Sequence, residues 1–100
     1  MSRWIVLAIP VDGISEGRSR NARTVAEFDG SAEEAEAALL QAASTFEYDL
    51  WKVRRREIFT CSSRSYFVRI EGRMNAYGFL LQLGERVQDS GVQKEAGDEE

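Results

Sequence analysis

The first apolar stretch of the chain, RWIVLAIPV over residues 3–11, is apolar at both parities: Ile5, Leu7, Ile9 and Val11 alternate with Trp4, Val6 and Ala8. β-Branched residues lead it and it is too short for an ordinary helix, so the pattern predicts a strand. A strand apolar on both sides belongs at the centre of a sheet, with something over each face. Residues 12–21 carry Gly13, Gly17 and Asn21 among serines and an aspartate and read as a loop. Alternation resumes over residues 22–29. Ala22, Thr24, Ala26 and Phe28 oppose Arg23, Val25, Glu27 and Asp29, which predicts a second strand with one wet face.

The next segment changes period. Ser31-Ala32-Glu33-Glu34 has the spacing of a capping box, in which the Ser31 hydroxyl and the Glu34 carboxylate satisfy each other's backbone amides. Ala32, Ala35, Leu39, Ala42 and Phe46 then recur every three or four residues, so a helix is expected over 32–46, its small alanines allowing close approach to a sheet. Glu33, Glu34 and Glu36 sit where the helix dipole favours negative charge.

Residues 50–61 read as a third strand whose phase is confused at Arg54, Arg55 and Arg56, and a bulge or tight turn near Arg55 would account for the slip. Residues 61–65 read as a turn. Residues 65–71 are a strand with Tyr66, Val68 and Ile70 inward and Phe67, Arg69 and Glu71 outward. Over residues 76–88, Tyr77, Phe79, Leu81 and Leu83 alternate as in a strand at 76–83. The alternative is a helix, which Gly78 and Gly84 would each weaken by about 1 kcal/mol. Residues 90–100 are polar and acidic and are expected to form a disordered tail after a single domain at 1–89. The order β-β-α-β-β-β predicts an α+β fold: one antiparallel sheet of about five strands with one helix packed on one face.

Composition narrows the function mainly by subtraction. The chain has 100 residues, enough for one core, and no histidine, which removes the usual general base and the commonest metal ligand. A single cysteine excludes an internal disulfide and a thiolate zinc cluster. The apolar run at 4–11 is far shorter than the roughly 20 residues of a membrane span and lacks the features of a signal peptide. No membrane association and a cytoplasmic location are therefore expected. Eleven of the 13 basic residues are arginine, a codon bias that suggests a GC-rich bacterial genome.

The net charge of −4 hides a pattern. Residues 31–50 hold five acidic and no basic residues, whereas residues 51–73 hold seven basic and two acidic ones. Lys52, Arg54, Arg56 and Arg69 are the candidate anion-binding set. Phe67 beside Arg69, on a strand neighbouring the Arg54/Arg56 face, has the residue types of a single-strand nucleic-acid platform, without the spacing of the known motif. The competing reading, ranked first, is that acids of the same small body offset these arginines. Gly17-Arg18-Ser19-Arg20-Asn21 with Arg23 is a second arginine-bearing loop, but it lacks phosphate-loop spacing.

Catalytic candidates are weak. Cys61 has no histidine to activate it, and a buried or half-buried structural role at a strand end is expected. Ser62, Ser63 and Ser65 lack a nucleophile elbow. Glu57 and Glu71 have arginines beside them, an arrangement of ion pairs rather than of a proton donor. No enzyme activity, metal or cofactor is expected. The strongest expectation concerns surface. One helix covers one face of a five-stranded sheet, and Ile5, Leu7, Ile9, Phe67 and Leu80 fall opposite it. An apolar face of that size calls for a cover. A second copy of the chain is the simplest one, and another protein the next. The sequence thus points to a small interaction or accessory protein, a homodimer through its sheet. Anion or single-stranded nucleic-acid binding is the alternative.

Overall fold

A computed structural model describes residues 1–12, 21–46, 53–73 and 76–91. They form β1 (Ser2–Asp12), β2 (Arg23–Gly30), α1 (Ala32–Thr45), β3 (Arg55–Ser62), β4 (Ser65–Glu71) and β5 (Ala76–Glu85). The strands make one antiparallel sheet in the order β2-β1-β5-β4-β3, with the helix against one face, so the fold is α+β. The two-sided apolar strand β1 lies inside the sheet, between β2 and β5.

The chain leaves β2 at one edge and re-enters at β3 on the other. Helix α1 makes that crossing and touches all five strands. Its 14 residues span about 21 Å at 1.5 Å per residue, close to the roughly 19 Å between the outer strands of a five-stranded sheet. Ala35, Leu39 and Ala43, one turn apart, are its buried residues. They meet Trp4, Val6 and Ala8 of β1, Val68 and Ile70 of β4, and Tyr77, Phe79, Leu81 and Leu83 of β5 in one core. Phe46, just past the helix, packs edge to face on Phe79 with ring centroids 4.9 Å apart.

The capping box is present: Glu34 N donates to Ser31 Oγ at 3.1 Å and Ser31 N donates to Glu34 Oε1 at 2.8 Å. A Cβ at Gly30, just before it, would stand 2.9 Å from Glu34 Oε1 and displace the end of that side chain. The Gly30 carbonyl accepts from the Trp4 indole Nε1 at 2.9 Å, which ties the helix entry to the central strand.

Several expectations need correction. The helix stripe runs through Ala43, while Ala32 is exposed and Ala42 half-buried. The third strand starts at Arg55. Val53 and Arg54 precede it, and residues 50–52 lie outside the described residues. Its irregularity falls between Thr60 and Ser62, not at Arg55. Strand β2 shifts register: Val6 faces Ala26 but Leu7 faces Thr24, so Thr24 leaves the face of Ala26 and Phe28. The strand expected at 76–83 is present and runs on to Glu85, and Val87 beyond it is 93% exposed, so no helix at 76–88 covers the second face. Residues 92–100, the expected tail, lie outside the described residues, as do 13–20 of the first loop.

Ser31→Ala removes one acceptor of the box and is expected to lower unfolding stability by about 1 kcal/mol, measured by urea denaturation. Ser31→Gly should cost only a few tenths, roughly, since glycine is itself a tolerated cap. Equal stability of Ser31→Ala and wild type would show that the cap contributes nothing.

Candidate functional site

The face away from α1 is built by strand alternation. Trp4, Val6 and Ala8 point to the helix, so Ile5, Leu7 and Ile9 point away from it. The registers then carry one row across four strands: Ile9 faces Leu80, Leu80 faces Phe67, and Phe67 faces Phe59. Ile5, Leu7, Ile9, Phe67 and Leu80, the five residues picked from the sequence, therefore share one face, and each is half-buried by its neighbours. Phe59, which by its place at the regular end of 50–61 would default to the core, instead ends the row at the sheet edge and is 43% exposed. Its ring lies 6.0 Å from that of Phe67.

Ion pairs flank the apolar residues at two corners. Arg3 on β1 meets Glu27 at 3.5 Å and Asp29 at 3.3 Å on β2. Toward the other edge, Glu57 takes Arg69 at 2.9 Å and Arg55 at 3.2 Å. The Arg69 guanidinium also lies 5.3 Å from the Phe59 ring centroid and 5.8 Å from that of Phe67. Register places Glu71 opposite Arg55 on the same face. Arg3, Arg55 and Arg69 are thus matched by Glu27, Asp29, Glu57 and Glu71, and the face carries little net charge.

Of the four candidate anion-binding residues, Arg56 and Arg69 fall on opposite faces of the sheet. Lys52 lies outside the described residues. Arg54 is exposed just before β3, its amide donating to the Glu71 carbonyl at 2.8 Å. Arg56 sits opposite Ile70 and so points to the helix side, where its Nη1 donates to the carbonyl oxygens of Phe46 and, at 3.3 Å, Ala43. Arg69 is on the other face. Phe67 therefore shares no face with Arg56. In the second arginine-bearing segment, residues 17–20 lie outside the described residues, and Arg23 lies over the Phe46 ring at 5.4 Å.

Cys61 is exposed rather than buried. It falls where the β3–β4 register shifts, on a strand with a neighbour on one side only. Ser62 and Ser65 share a hydrogen bond of 2.8 Å and Ser62 Oγ accepts from Arg64 N at 3.1 Å, which is turn chemistry. Among the described residues no group of acids or cysteine could hold a metal ion. No helix among them is long and apolar enough to cross a membrane. Among the described residues, what this face offers is an apolar, nearly neutral surface. Comparison with known protein families, with characterised proteins and with solved structures gives no match.

Arg56 and Arg54 separate on stability. Arg56→Met strips the charged donor from the carbonyl end of α1 and should cost roughly 1–2 kcal/mol in urea unfolding. Arg54→Glu should change stability by less than about 0.5 kcal/mol. Equal effects would remove Arg56 from its place at the helix end.

Proposed function

We propose that this chain is a small, non-catalytic interaction protein that works through the open face of its sheet, with a second copy as the partner. The observation that carries the reading is the row Ile9, Leu80, Phe67 and Phe59, extended by Leu7 and Ile5 along β1, on a face that no helix of the described residues covers. Contiguous apolar surface of this kind marks association sites. Five strands, each about eight residues long, offer roughly 600 Å² per copy, above the roughly 500 Å² per partner needed for a specific interface. A face with little net charge meets its own copy without repulsion. The exposed thiol of Cys61 fits a reducing compartment, the cytoplasm.

The nucleic-acid alternative has one observation in its favour, Arg69 lying over both Phe59 and Phe67. The same guanidinium is held by Glu57, and three further acids share the face. A polyanion would have to displace the carboxylate and approach those charges.

Sedimentation at micromolar concentration should give a mass above the 11.3 kDa of one chain, and Leu80→Glu should lower it. Labelled single-stranded DNA or RNA should not bind at about 50 mM salt, where phosphate contacts are strong. A wild-type monomer at high concentration would remove the self-association. Micromolar binding with a steep salt dependence would promote the nucleic-acid reading.

A further inference from the structure

The two edges of the sheet differ. On β2 the register shifts between the partners of Val6 and Leu7, and exposed Arg23, Glu27 and Asp29 line the strand. A bulge and charged side chains are the ordinary protections of an edge strand against pairing with another chain. Strand β3 pairs regularly from Arg55 to Thr60 and carries no proline, lysine or bulge over that span. Every residue from Ile58 to Ser62 is exposed, and two of them, Ile58 at 36% and Phe59 at 43%, are large and apolar. The arginines at its start do not guard it. Arg56 is committed to the carbonyls of Phe46 and Ala43, and Arg55 to Glu57.

We infer that β3 is a second self-pairing surface: two copies join antiparallel, β3 to β3, around a two-fold axis at Ile58, and extend the sheet to ten strands. Charge and shape select this register. It sets Ile58 against its own copy, Glu57 against Phe59, Arg56 against Thr60 and Arg55 against Cys61, so no like charges face each other. The pairs from Arg56 to Thr60 lie within the regular stretch, and the Arg55–Cys61 contact alone reaches the shift after Thr60. A β-branched pair at the centre suits a cross-strand contact. An axis at Arg56 or Glu57 would instead oppose that residue to its own like charge, and one at Phe59 would draw Cys61 and Ser62, at the register shift, further into the pairing. This surface goes beyond the open face. Ile58 and Thr60 lie on the helix side of the sheet, so it can be tested apart.

The test uses the full chain carrying Leu80→Glu, which disables the open face, with circular dichroism confirming the fold. At about 100 µM this variant should sediment at twice 11.3 kDa, and adding Ile58→Lys and Thr60→Lys should return it to one chain. Leu7→Gln replaces Leu80→Glu if the latter fails to fold. Cys61 is the chain's one cysteine, so a spin label there reports the geometry directly. Its two copies should lie about 21 Å apart, six residues along the strands and one strand spacing across. A folded Leu80→Glu monomer would overturn the inference and leave the open face standing. A dimer insensitive to both lysines, or a label separation beyond about 30 Å, would overturn it too. If Leu80→Glu leaves the wild-type mass unchanged while the lysines alone yield one chain, the edge stands and the open face falls.

Discussion

The helix α1 has to carry the chain from one edge of the sheet to the other over a single face, and most of the architecture depends on that crossing. Its length matches the width of five strands, so one helix reaches them all. The apolar rows of β1, β4 and β5 on that side are roofed by Ala35, Leu39, Ala43 and Phe46. The alanines bring the helix axis close to the sheet, and closeness decides how fully Trp4 and Phe79 are buried. The consequence on the other side is direct: Ile5, Leu7, Ile9, Phe67 and Leu80 lie on a face that no helix of the described residues covers.

Polar groups fasten both ends of the roof. At its start, Ser31 and Glu34 close the first turn while the Gly30 carbonyl takes the Trp4 indole. At its end, Arg56 brings a cation to carbonyl groups that the helix cannot satisfy itself. Between them, Arg64 in the β3–β4 turn lies 5.0 Å from the Trp4 ring and reaches Glu36 on the helix and Glu85 on β5. These exposed ion pairs are individually weak. The indole beneath Arg64 gives the cluster its position.

Much of this was legible where one period held. The capping box, the helix, the strand at 65–71 and the outward set opposite the helix follow from spacing alone. The register of the third strand was not legible, and the reason lies in the turn. With Ser63 and Arg64 as a two-residue turn, Ser62 faces Ser65, and simple counting puts Thr60 opposite Phe67. The register shift at Cys61 absorbs one residue, so Phe59 takes that place, and the shift leaves no mark in hydropathy. The same difficulty divided Arg56 from Arg69. Their types suggested one basic surface, but the pairings with Ile70 and Glu57 put them on opposite sides. The displacement of Thr24 in β2 has the same origin, one extra residue at Val25.

Strand β1 is the second from one edge, and its partner on the inner side is the last strand of the sheet: Ile5 faces Gly84 and Val6 faces Leu83. By contrast β3, β4 and β5 follow one another as neighbours and can zip locally. Loop closure over nearly the whole chain is entropically slow. During synthesis, then, the most apolar strand emerges first and waits longest. It has β2 and the helix to shelter it on one edge and one face, while its other edge stays unpaired until residues 76–85 have been made. Loss of residues 76–85 would therefore strip β1 of its inner partner along the whole stretch from Trp4 to Asp12.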